Sequence, residues 1–222
     1  GGTTAPTQPA KTVDIIINGQ TVKAELGADG TPTLTYTASD IGKYSDGSGV
    51  FNITVSGQDS VSINIPIGEL GDDDLVIHTD FGSIVIPNAA LQAIKELYGD
   101  TLRLVITKSS FKVPLLDNSK KEVAYNDPAN PLTITLPYTL AAGQKAVAVV
   151  AVKKDGNRNS ILPFAVYEKG SVTFTTGSTG TYDLFYNGKS FSDIGGHWAA
   201  DYIGFVTARE IFNGNGNGCL LS

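Results

Sequence analysis

The side chains able to do chemistry are few and scattered. The chain holds two histidines, His78 and His197, and one cysteine, Cys219. Nucleophilic hydrolysis needs a serine or cysteine activated by a neighbouring base, and no G-x-S-x-G elbow is present. His78 falls in the strand-like stretch Ile77 to Thr79, where its ring faces solvent or a sheet edge. Asp72-Asp73-Asp74 carries the oxygen ligands a hard cation takes, but consecutive acids do not by themselves converge on one ion, and the triplet reads as a solvated turn. Asp155-Gly156-Asn157-Arg158-Asn159 opens like a calcium loop, yet Val166 stands at the twelfth position, where a bidentate glutamate is required, so this is a hairpin turn. Paired carboxylates for glycoside hydrolysis would have to come from distant strands, and the acids sit mostly at turns, as at Asp46, Asp59, Asp100 and Asp117. Tyr36, Tyr44, Tyr125, Tyr138, Tyr167, Tyr182 and Tyr186 offer rings for sugar stacking, but tyrosines in strands more often pack across a sheet. The reading assigns no catalytic residue, no metal ligands and no cofactor.

The elements that carry these residues are β-strands. Residues 1–11, rich in Gly, Thr, Pro and Gln, bury nothing and read as a linker. From Val13 short alternating segments begin, and Asn18-Gly19 predicts a tight hairpin between Val13 to Ile17 and Thr21 to Leu26. Further strands are expected over Thr33 to Thr37, Val50 to Val55, Val61 to Ile65, Leu75 to Thr79, Ser83 to Ile86 and Leu102 to Thr107. A short helix over Ala38 to Tyr44 would be capped by Ser39 or Asp40. After Pro87, Ala90, Leu91, Ile94, Leu97 and Tyr98 recur at helical spacing and Gly99 supplies the stop. A second run of strands follows: Phe111 to Leu116, Leu132 to Leu136, Ala146 to Val152, Leu162 to Tyr167, Val172 to Thr175 and Tyr182 to Tyr186, with turns at Asp155-Gly156 and Lys169-Gly170. This gives a mainly β chain of sandwich-like antiparallel sheets with one or two short helices and a C-terminal helix. The expected divisions are a β-rich module at 12–108, a second at 109–187 and a distinct segment at 188–222.

Composition narrows the function further. The net charge of −6 gives no basic stripe for nucleic acid. No apolar run approaches the roughly 20 residues of a membrane-spanning helix. A lone cysteine permits no disulfide within the chain, and without any methionine the sequence reads as a mature or excised piece of a longer polypeptide.

The segment Phe191-Ser192-Asp193-Ile194-Gly195-Gly196-His197-Trp198 leads into a helical run to Phe212 in which Trp198, Tyr202, Phe205 and Phe212 form an apolar stripe. Asp193 suits the start of that helix as a cap or brace, and Asn213-Gly214 its end. A stripe of this size needs a partner: the preceding β structure, another chain, or further sequence. Phe191, Asp193, His197-Trp198-Ala199, Ile203, Ala208-Arg209, Ile211 and Asn213-Gly214, followed by Gly216, Gly218 and Ser222, resemble the opening of a surface-layer homology (SLH) repeat. Glu210 departs from the pattern, which has glycine there. The resemblance implies a helical unit that, as three complete repeats, binds pyruvylated secondary cell-wall polysaccharide in Gram-positive-type walls. Asp193 and Trp198 match its binding motif, while the Thr-Arg-Ala-Glu motif of the second half falls beyond Ser222, so the site is incomplete and this fragment alone is not expected to bind.

Residues Val61 to Tyr186 also resemble, more weakly, the β-rich modules that precede such repeats, including a ZU5-like strand at Val172-Thr173-Phe174-Thr175-Thr176. There the autoproteolytic His-Phe-Ser is replaced by Gly177-Ser178-Thr179, which disfavours self-cleavage. The resulting expectation is a non-enzymatic extracellular module of a cell-wall or S-layer protein, partnered by wall polysaccharide through the complete SLH region and by neighbouring surface domains, with no nucleic acid and no membrane span. The alternative is an ancillary carbohydrate-binding module of a secreted glycoside hydrolase.

Overall fold

The computed structural model describes residues 11–45, 47–108, 111–116, 119, 121–214 and 218–219. Residues 1–10 of the linker, Ser109 at the expected boundary, Asp46, Asp117, Gly216 and Ser222 lie outside the described residues.

Turn chemistry sets the first pairing. β1 (Thr12–Ile17) and β2 (Gln20–Leu26) run antiparallel around Asn18 and Gly19, whose φ angles of 48° and 76° follow the right-handed strand twist. Then come β3 (Pro32–Thr35), helix α1 (Ala38–Tyr44), β4 (Val50–Ser56), β5 (Ser60–Pro66), β6 (Asp74–Thr79), β7 (Gly82–Ile86), helix α2 (Asn88–Tyr98) and β8 (Thr101–Thr107). The next strands are the short β9 (Phe111–Lys112), β10 (Leu115–Leu116) and β11 (Glu122–Val123), then β12 (Leu132–Pro137), β13 (Val149–Asp155) and β14 (Arg158–Leu162). β15 (Val166–Glu168), β16 (Ser171–Thr176), β17 (Thr181–Tyr186) and helix α3 (Ala200–Ala208) complete the order.

Backbone hydrogen bonds join the strands laterally as β15, β16, β12, β7, β6, β4, β1, β2, β3, β5, β8, β9, β17, β13, β14. Within that path β4–β6 and β3–β5 are parallel and the other ladders are antiparallel. Ladders cross position 109: Ser83 to Val85 pairs with Thr133 to Thr135, and β9 pairs with β17.

Period-2 patterning turns alternate side chains inward. Phe51, Ile53 and Val55 of β4, Val61, Ile63 and Ile65 of β5, Leu102, Leu104 and Ile106 of β8, and Leu132, Ile134 and Leu136 of β12 are all buried in one apolar cluster. The inner faces of the strand path thus share one core in the manner of a sandwich. Each such side chain stabilises by about 1.5–3 kcal/mol on burial. β13 breaks the alternation, because Val149, Val150, Ala151 and Val152 are all buried. Val149 and Ala151 enter the main core, while Val150 enters a second small cluster with Ala148 and Ala208.

Several local expectations change on folding. The cap of α1 is Thr37: its Oγ1 accepts from Asp40 N, and Asp40 Oδ2 accepts from Thr37 N at 2.8 Å, a reciprocal capping box. Leu97, expected on the buried stripe of α2, is 65% exposed, whereas Ala90, Leu91 and Ile94 are buried. The strand expected over Leu162 to Tyr167 is interrupted at Pro163-Phe164, between the end of β14 and the start of β15.

Candidate functional site

The C-terminal segment is built onto the β body at Asn187. Its backbone N–H donates to Ala148 O at 2.9 Å and its side-chain Nδ2 to Ala208 O at 2.6 Å, joining the end of β17 to the end of α3. A single 3-10 turn covers Ser192–Ile194, and Ser192 N donates to Gly218 O at 3.0 Å. Asp193 lies exposed in this turn. It does not cap α3, whose N-cap is Ala199 without a side-chain cap. His197 takes part of that work, with Nδ1 accepting from Ala199 N at 3.2 Å.

α3 docks through its small side chains and one cation. Thr207, Ala208 and Arg209 are buried, and a side chain at Gly204 would meet Val147 at 3.4 Å, so the helix lies close to the body. The Arg209 guanidinium, 5% exposed, reaches past the helix end into the β body. Nη1 donates to Val147 O at 2.9 Å and to Phe205 O at 3.1 Å, and Nη2 donates to Val149 O at 3.4 Å and to Ala165 O. The group also lies 3.5 Å from the centre of the Phe205 ring. Burial pushes the guanidinium down to about 10, which leaves it charged at neutral pH. Its Nε–H is buried without a partner among the described residues, a cost offset by the charge-assisted bonds of the two terminal nitrogens. At the rim, Lys145 Nζ meets Asp201 Oδ1 at 3.2 Å. Body and segment enclose a cleft of about 340 Å³ lined by Lys145, Tyr186, Lys189, Phe191, Gly195 and Gly196, among others.

The helix ends sooner than its apolar stripe suggests. α3 stops at Ala208, and Glu210 takes φ 58° while Glu210 N donates to Thr207 O and Ile211 N to Val206 O, both at 3.1 Å. This is the paired 5→2 and 6→1 pattern of a left-handed helix stop, in the position the repeat fills with glycine. The stripe is also divided: Phe205 lies under Arg209, while Trp198, Tyr202, Ile211 and Phe212 are 85%, 73%, 60% and 50% exposed. Trp198 stacks on His197 with centroids 5.6 Å apart and makes no part of the body core.

The remaining candidates fall apart as sites. His78 is exposed on β6. Asp74 Oδ1 accepts from Asn88 N at 2.7 Å at the start of α2, and Asp73 Oδ2 accepts from Ser45 Oγ at 3.1 Å, so these two acids brace backbone and helix. Asp155 and Arg158 close the β13–β14 hairpin. Tyr125 and Tyr182 are buried, and Tyr138 meets Tyr167 edge-on at 6.4 Å. Arg209 is among the motif residues, and the signal for its docking role is a single arginine following the small residues Gly204, Thr207 and Ala208.

No helix among the described residues is long and apolar enough to cross a membrane. No curated protein and no solved structure matches the chain. Residues 190–218, a range that includes the docked helix α3, match the S-layer homology domain, a non-catalytic anchoring domain of cell-surface proteins, consistent with the start of one such repeat at the C-terminal end.

Proposed function

We propose that the chain is a non-catalytic structural or presentation module of an extracellular, cell-wall-anchored S-layer-type protein of Gram-positive-type bacteria. The observation that carries this reading is the docking of the matched segment: four carbonyls accept from the buried Arg209, three of them on the β body, so body and anchor start are held as one piece. In this reading the body holds neighbouring surface domains at a fixed pose from the wall, and secondary cell-wall polysaccharide is bound by the complete SLH region. Asp193 and Trp198, both solvent-exposed, belong to that binding surface.

Retention on purified pyruvylated wall polysaccharide tests the proposal, comparing residues 1–222 with a version extended through three complete repeats. The extended protein is expected to bind and the shorter one to pass through. Failure of the extended protein to bind sinks the anchoring role, and tight binding by the shorter one refutes the division of labour.

A further inference from the structure

A second concavity lies on the β body, away from the matched segment. It is a cleft of about 370 Å³ between the β1–β2 hairpin, β3 and α1, a volume within the range of small-molecule sites. Its floor is apolar: Ile17 and Leu34 are buried, and Val22 is partly so. Its rim brings together Gln20, Tyr36, Asp40 and Tyr44.

The rim groups form a specific donor and acceptor set. Tyr36 is fixed by an edge-on contact with Phe51, ring centres 5.9 Å apart, and no hydrogen-bond partner is found for its hydroxyl among the described residues. Burial, with smaller contributions from Tyr44 and Asp40, pushes its phenol up to about 12, so it stays a protonated donor. Asp40 is held below the usual carboxylate range by the Thr37 side chain and then the Thr37 backbone, so it stays an ionised acceptor. Both Thr37 bonds fall on Oδ2. Tyr44 is 41% exposed and its hydroxyl accepts from Lys43 Nζ at 3.1 Å, which steadies the ring.

Two further lining residues, Lys23 and Asn18, have side chains already engaged elsewhere. Lys23 pairs with Asp14 at 2.9 Å across the β1–β2 ladder, and strand alternation puts both on the sheet face opposite Gln20 and Val22. Asn18 is already committed, its Oδ1 accepting from Thr54 N at 2.7 Å. With Lys23 paired to Asp14 and Lys43 Nζ held at the hydroxyl end of Tyr44, 4.8 Å from its ring centre, the cleft offers a ring, a neutral donor, a carboxylate acceptor and an amide. A pyranose fits this set, since its C–H face stacks on a ring and its hydroxyls both donate to a carboxylate and accept from a phenol.

We infer that this cleft binds a neutral hexose or N-acetylhexosamine unit of a glycan, stacked on Tyr44 and hydrogen-bonded by Tyr36, Asp40 and Gln20. The site is independent of the anchoring role, and the bound sugar is chemically distinct from an acidic wall polymer.

Titration of the full chain by calorimetry and amide chemical shifts tests the assignment. The probes are neutral gluco-, galacto-, manno- and N-acetylhexosamine oligosaccharides, with pyruvylated and uronic-acid oligosaccharides as charged controls. At least one neutral class is expected to bind and to shift amides of residues 17–23 and 34–44. Tyr36→Phe should weaken binding about 3–10-fold, the loss of one hydrogen bond, and Tyr44→Ala about 10-fold or more. Circular dichroism and thermal midpoint of Tyr36→Phe should be unchanged, and Phe164→Ala, at an 80% exposed position away from the cleft, should leave sugar affinity as it is. The assignment is overturned if no neutral sugar binds at about 10 mM, if only charged controls bind, if binding survives the combined Tyr36 and Tyr44 variants, or if the shifted amides lie elsewhere.

Discussion

The β body and the docked C-terminal segment are held by opposite physics. In the body, alternate residues of long strands enter one apolar core, and polar side chains take the outward strand positions and the turns. In the segment, Trp198, Tyr202 and Phe212 face out, and the contact is made by small residues and a buried cation that covers Phe205 and bonds to backbone carbonyls. Apolar burial is non-directional and tolerates repacking, whereas a guanidinium fork bonded to several carbonyls fixes one pose. The body is thus built for stability and the junction for orientation.

Substitutions at four positions probe that contrast. Ile84→Ala removes a fully buried side chain from β7, between β6 and β12, and should cost about 3 kcal/mol, lowering the urea midpoint of the whole body in one transition. Arg209→Ala should cost about 2 kcal/mol. Its effect should be local, with hydrogen exchange accelerated over Ala200–Ala208 while β4 and β5 stay protected. Arg209→Lys should not restore protection, because one ammonium cannot reproduce the fork. Equal loss of protection across body and segment would erase the distinction between them. Glu210→Gly relieves the left-handed φ of 58° and should stabilise the junction by about 0.5–1 kcal/mol, read as slower exchange of the last turn of α3. Trp198→Ala, at an 85% exposed position, should change stability by no more than about 0.5 kcal/mol, while in the three-repeat protein it should abolish retention on wall polysaccharide.

Local chemistry was readable from the chain and long-range pairing was not. Asn18-Gly19, Asp155-Gly156 and Lys169-Gly170 announce their hairpins because turn geometry depends on adjacent residues. Thr37-x-x-Asp40 also carried a capping signature, but helix periodicity alone placed the cap two or three residues late. Leu97 fits the apolar spacing of α2 and still stands in solvent, since spacing defines a stripe and the neighbouring strands define how far it is covered. The ladder between Ser83–Val85 and Thr133–Thr135 joins residues about fifty positions apart, and nothing in either segment names the other. For the candidate sites, the resemblance located the C-terminal segment. The convergence of Tyr36 and Tyr44 on one cleft, out of nine scattered tyrosines, is a tertiary fact.

The double covering of β13 also governs how the protein carries tension. A pull from the C-terminal side reaches the body covalently at β17, the strand that hands the chain to Asn187. With Arg209 seated on the carbonyls of Val147 and Val149, the same pull is passed sideways to the start of β13, the strand paired with β17 from Val149↔Tyr186 to Lys154↔Thr181. Two adjacent strands then bear the load together. Once the arginine is unseated, the load falls on the Asn187 joint and the end of β17, where its ladder with β13 begins at Tyr186.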